Sequence, residues 1–112
     1  MAKYETTVKA DFDDFTRKIK NRILQQSVSA SVEEECREEI GSVKIHIIVF
    51  ERYSIVGNNR TSLTVTFIWN GDQVKVIGIT SGGSQAMLFK INTVGEKSFL
   101  QTLQNAVEQW FV

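Results

Sequence analysis

Val43-Lys-Ile-His-Ile-Ile-Val-Phe-Glu-Arg-Tyr53, Thr61-Ser-Leu-Thr-Val-Thr-Phe-Ile-Trp69 and Gln73-Val-Lys-Val-Ile-Gly-Ile-Thr80 follow one another with short breaks, and their reading decides the fold. Each is rich in β-branched and aromatic residues and repeats with a period of two, the pattern of a strand. Asn70-Gly71-Asp72 separates the second from the third, and Asn and Gly accept the positive φ of a tight hairpin turn. Gly57-Asn58-Asn59 makes a similar, longer turn between the first and second. Three antiparallel strands result, and the remaining chain has to cover them.

Alternation sorts these strands into two faces. Val43, Ile45, Ile47, Val49 and Tyr53, with Leu63, Val65, Phe67, Trp69, Val74 and Val76, form one apolar surface, the expected core. Burying side chains of this size stabilises by roughly 1.5–3 kcal/mol each, enough to fix strand register. The opposite face carries Lys44, His46, Arg52, Ser62, Thr64, Thr66 and Lys75, but also Ile48, Phe50, Ile68, Ile77 and Ile79. Those last five are too apolar for open solvent if they cluster. A helix or a second copy of the chain has to cover them, and the sequence reading favours a homodimer with these five at its interface.

Towards the N-terminus, Ser27 to Val32 alternates Ser with small apolar residues and reads as a strand. Glu33-Glu-Glu-Cys-Arg-Glu-Glu39 has almost no apolar face; a helical turn or a hairpin tip fits, and a solvated charged loop fits best. Metal binding by Glu33, Glu35, Glu38 and Cys36 lacks both the spacing and the histidines it needs. Asp11 reads as a helix N-cap, with Asp13 and Asp14 in the favourable first turn. Phe12, Phe15, Ile19 and Ile23 then make a single helical stripe ending near Leu24. Lys3 to Lys9 is a short strand at a sheet edge.

Towards the C-terminus, Ser81-Gly-Gly-Ser84 is a turn, and Ala86 to Ile91 is either a short strand or an irregular approach to a helix. Thr93-Val-Gly-Glu96 has the spacing of a capping box. Phe99, Leu100, Leu103, Ala106, Val107, Trp110 and Phe111 follow at helical spacing, a broad apolar face for lying across the sheet. The order is β-α-β-β-β-β-α, an α+β fold with an antiparallel sheet of four to six strands and the C-terminal helix across one face. It is similar in order to the TATA-binding-protein-like and small helix-grip folds, a likeness that says little about function.

The chain of 112 residues suits a single domain spanning 1–112. Its 13 basic and 13 acidic side chains balance, whereas a nucleic-acid binder carries a basic excess, so no nucleic-acid partner is expected. Cys36 stands alone, so no internal disulfide forms and a reducing, cytoplasmic setting is expected. The first residues lack the apolar run of a signal peptide, and no window approaches a membrane span.

Candidate sites are sparse. Ser81, Gly82, Gly83, Ser84 and Gln85 form a Gly-rich loop whose amides could cradle an anion, although the Lys-Ser/Thr of a phosphate loop is missing. With Arg52, Arg60 and Lys90 they make a candidate pocket for a small polar or anionic ligand between sheet and C-terminal helix. Glu51 falls on the core face by parity and needs a partner, for which Arg60 across the hairpin is suited. His46, the sole histidine, projects from the face opposite the core, and a dyad with Cys36 requires the acidic segment to fold back. No acid–base pair at catalytic spacing is evident, so no enzyme activity, cofactor or metal is expected.

At Glu51-Arg-Tyr-Ser54, Asn59-Arg-Thr-Ser-Leu-Thr-Val-Thr66, Ile79-Thr-Ser-Gly-Gly-Ser-Gln-Ala86 and Phe89-Lys-Ile-Asn-Thr-Val-Gly-Glu96 the chain resembles a family of small uncharacterised bacterial proteins. That family is a domain of unknown function found mainly in Gram-positive bacteria, and the resemblance covers nearly the whole chain. It implies a bacterial cytoplasmic origin and a stand-alone domain, and it supplies no activity, cofactor or catalytic residue.

Overall fold

A computed structural model describes residues 1–54, 59–82 and 89–111, and of residues 54, 59 and 89–94 the backbone alone. The chain runs β1 (Ala2–Lys9), α1 (Phe12–Gln26), β2 (Ser31–Ile40), β3 (Val43–Ser54), β4 (Asn59–Trp69), β5 (Gln73–Gly82) and α2 (Phe89–Glu108), closing with a 3-10 turn at Gln109–Phe111. This is the β-α-β-β-β-β-α order read from the sequence. The strands form one five-stranded sheet in the order β1-β5-β4-β3-β2, every neighbouring pair antiparallel.

Local chemistry builds these elements as expected where it is specific. Asp11 caps α1, its carboxylate accepting from the Asp14 amide at 3.0 Å. In the β4–β5 turn Asn70 Oδ1 accepts from the amides of Asp72 at 3.1 Å and Gln73 at 3.0 Å, while Gly71 takes φ 102°. Elsewhere tertiary packing overrides the local reading. Ser27 to Ala30 is a turn closed by the Ala30 amide on the Ser27 carbonyl, so the strand begins only at Ser31. The acidic segment Glu33–Glu39 lies inside strand β2, with a register shift between Val32 and Glu34. As an edge strand it offers unpaired backbone groups; its glutamates and its bulge discourage pairing with another chain's edge. α2 begins at Phe89, so Thr93 lies within the helix and is not its cap. Of the expected strand or approach segment Ala86–Ile91, residues 86–88 lie outside the described residues, and Phe89–Ile91 are helical.

Both helices lie on one side of the sheet. Phe15 stands edge-on to Phe67 of β4 at 5.9 Å and to Trp110 at 5.1 Å, while Phe12 packs on Trp69. α2 covers β5, β4 and β1. It presses so closely on β5 that a Cβ at Gly78 would run into Leu103 Cδ2, which explains a glycine inside a strand. Arg22 and Gln26 of α1 donate to the Ala106 and Thr102 carbonyls of α2. The smallest extent of the molecule is 20 Å, the thickness of a sheet with one helix layer.

The expected faces are corrected at β3. Ile48 and Phe50, expected outside, are fully buried under the helices with Leu63, Val65, Phe67, Val74, Val76, Phe99 and Leu103. Val43, Ile45, Ile47, Val49 and Tyr53, expected in the core, lie on the open side. The register decides it: Phe50 stands opposite Leu63 and Ile48 opposite Val65, and directly opposed residues share a face. Both parities of β3 are apolar, so alternation within that strand could not choose between them. Glu51 moves to the open face with the rest.

Two substitutions test this assignment. Phe50→Ala should lower unfolding free energy by about 3–5 kcal/mol in chemical denaturation, and Gly78→Ala by about 1–3 kcal/mol through overpacking against Leu103. A Phe50→Ala variant as stable as the parent would put β3 back in the opposite register.

Candidate functional site

The open face of the sheet can be laid out row by row from the strand registers. One row runs Thr7, Lys75, Ile68, Ile45 and Glu38 from β1 to β2; the next runs Glu5, Ile77, Thr66, Ile47 and Cys36; the third runs Lys3, Ile79, Thr64, Val49 and Glu34. The middle of this surface is aliphatic and threonine-lined, and no element of the described chain packs on it. Most of its aliphatics are half-buried by their neighbours, while Ile79 is 42% exposed and Ile40, at the margin, 68%. Charge is sorted by flank. Lys3, Lys9 and Lys75 sit on the β1–β5 side with Glu5, and Glu34, Glu38 and Glu51 on the β2–β3 side.

Of the residues expected at an interface, Ile68, Ile77 and Ile79 lie on this face, whereas Ile48 and Phe50 belong to the core. The aliphatics that sequence reasoning put inside, Val43, Ile45, Ile47 and Val49, take their place.

The described members of the expected ligand set, Arg52, Arg60, Ser81 and Gly82, do not share one side of the sheet. Arg52 points to the helix side, where its guanidinium donates to the Gly95 carbonyl at 3.1 Å and lies 4.5 Å from the Phe99 ring centroid. Burial holds its pKa below the usual value. Arg60 projects from the open side, where its Nε meets Glu51 at 3.2 Å, the hairpin ion pair expected from the sequence. Ser81 lies on the open side, and its carbonyl accepts from the Ser62 hydroxyl. Gly82 lies on the helix side, its amide donating to Glu96 Oε1 at 2.9 Å. Gly83, Ser84 and Gln85 lie outside the described residues, as does the Lys90 side chain. The space between sheet and α2 is filled by Phe67, Phe99 and Leu103, all fully buried.

A polar cluster missed from the sequence lies where β2 meets α1. His46 is buried beside Phe67, and its Nε2 stands 2.6 Å from Glu35 Oε2. Glu35 Oε1 accepts from Lys20 Nζ at 2.8 Å. Its Nδ1 finds no partner among the described residues. Cys36 faces the other side of the sheet, which removes the Cys36–His46 dyad. The same alternation separates Glu35 from Cys36 and Glu38, splitting the weighed metal set. With the His46 side chain 6% exposed and both Glu35 oxygens engaged, the cluster anchors the edge strand to the helix layer.

An open cleft of about 460 Å³ lies beside it, lined by Phe12, Asp13, Arg37, Glu38, Glu39, Lys44 and Ile45. Its cations are engaged already: Arg37 pairs with Asp13, and the Lys44 ammonium sits 5.0 Å from the Trp69 ring centroid.

Comparison with protein families adds a match over residues 1–111 to a family of unknown function, DUF6054. The chain belongs to that family. No curated protein compared with the chain matches it. No helix among the described residues is long and apolar enough to cross a membrane. Membership carries no activity and no site residue, so the geometry alone supports a functional reading.

The Lys20 hydrogen bond, more than the opposing effect of burial, holds the Glu35 carboxyl below its ordinary value of 4.5. A depressed acid contributes stability above its unfolded pKa and loses it as pH falls through the folded one. Unfolding midpoints measured from pH 6 down through the carboxylate range should therefore fall less steeply in Glu35→Gln than in the parent. Parallel profiles would show that Glu35 is not depressed.

Proposed function

We propose that the protein is a non-catalytic interaction module that acts as a homodimer through the open face of its sheet. The observation that carries this reading is the placement of both helices on one side, with Ile45, Ile47, Val49, Ile68, Ile77 and Ile79 left uncovered on the other. Five strands about 4.8 Å apart and about ten residues long present roughly 800 Å², and a standard interface buries about 800 Å² per partner. The largely exposed lysines and glutamates around the aliphatic centre match the polar, solvent-accessible rim of an interface. A reducing bacterial cytoplasm suits the single exposed Cys36.

A second reading, a small anionic ligand at the Gly82 end of the helix side, is favoured by Arg52, whose half-buried guanidinium meets no carboxylate among the described residues. It predicts a rise in melting temperature with inorganic phosphate that Arg52→Gln abolishes.

Sedimentation equilibrium decides the main reading. The wild type should be dimeric at micromolar concentration, and Ile47→Glu or Ile77→Glu should weaken the dimer at least about a hundredfold, since an interfacial carboxylate left unpaired costs several kcal/mol. Circular dichroism of both variants should keep the parent's α+β signature. A wild type that stays monomeric at hundreds of micromolar would refute the dimer.

A further inference from the structure

The open face is bipolar as well as apolar, and that polarity chooses between the two ways a second copy can lie on it. Resting on the sheet-face homodimer proposed above, we infer that its two-fold axis runs along the strands, laying β1 of each copy over β2 of the other. Two sheets face to face are related by an axis in the plane between them, either along the strands or across them.

An axis across the strands stacks β1 on β1 and β2 on β2. The glutamate flank then meets a glutamate flank, Glu34 and Glu38 against their own copies, a like-charge arrangement that electrostatics penalises, while on the other flank Lys3 and Lys9 already have Glu5 and Asp72 at 3.7 Å. An axis along the strands exchanges the flanks and keeps each residue in its own row. Lys3 then stands over Glu34 of the other copy, because these two end the same row of the sheet. In the middle of the rows Ile77 comes to Ile47 and Ile79 to Val49, aliphatic on aliphatic, and Thr66 meets its own copy. Either axis keeps the strands of the two sheets nearly aligned, the common geometry of packed sheets, so the choice rests on the flanks and rows.

Glu5 and Cys36 share a row at its opposite ends, four strand spacings apart, about 19 Å within one chain. Across the inferred dimer they face each other. A short bis-maleimide spanning about 8 Å, well under that intrachain separation, should therefore join Glu5→Cys chains into covalent dimers through Cys36. Wild-type chains, whose two Cys36 side chains lie on opposite flanks, should stay unlinked. Separately, Lys3→Glu and Glu34→Lys should each weaken the dimer about tenfold, and the double variant should recover to within about threefold of wild type.

Efficient linking of wild-type chains through Cys36 would overturn this orientation in favour of the axis across the strands. Failure of Glu5→Cys to link, or no recovery in the double reversal, would also overturn it while sedimentation still shows a dimer. A monomeric wild type would instead remove the homodimer itself, so the two failures are told apart.

Discussion

The structure depends on one constraint of connectivity: β1 and β2 occupy opposite edges of the sheet and run in the same direction, so α1 must cross the full width between them. Five strands span about 19 Å between the axes of the outermost pair, and the fifteen residues of α1 rise about 22 Å. The helix is as long as the crossing demands. A crossover between parallel strands takes one hand almost without exception, which fixes the side on which α1 lies. α2 leaves β5 and packs beside α1 on that same side, held by Phe15 against Trp110 and by the Arg22 and Gln26 hydrogen bonds. The helix layer is then full, and the other face of the sheet receives no cover from the described chain.

What that asymmetry leaves exposed is ordered. Aliphatic residues occupy the centre of the open face, three lysines with Glu5 one flank and glutamates the other. The acidic run of β2 serves two ends on its two sides. Outward, Glu34 and Glu38 charge the flank and guard the sheet edge. Inward, Glu35 reaches back to Lys20 and His46 and ties the edge strand to the helix layer. An edge strand so poor in apolar residues has little burial to hold it, and a charge-assisted hydrogen bond inside the margin of the core supplies a directional substitute.

Placement on the two faces also redistributes the residues that a ligand site would need. Arg52 and Arg60 are separated by the sheet itself, and Ser81 and Gly82 diverge for the same reason, being adjacent in a strand. Residues close in the sequence of a turn or strand end are not thereby close in space. The Glu51–Arg60 pair was readable because its two members sit diagonally across one hairpin, on the same side of the sheet.

The sequence by itself determined the element order, the extent of the three central strands, the N-cap of α1, the Asn70-Gly71 turn and the apolar face of α2. All of these are local: period, capping chemistry and turn chemistry act within a few residues. It also told that the sheet is oily on both surfaces. Only the tertiary structure decided which surface of β3 lies inside, because Ile45, Ile47 and Val49 compete on one parity with Ile48 and Phe50 on the other, and the choice rests on register with β4. It likewise decided that Glu33–Glu39 is a strand, that Glu35 meets His46, and that Glu96 serves Gly82 rather than a helix cap. Each of those depends on partners far away in the chain, and no period within a segment carries that information.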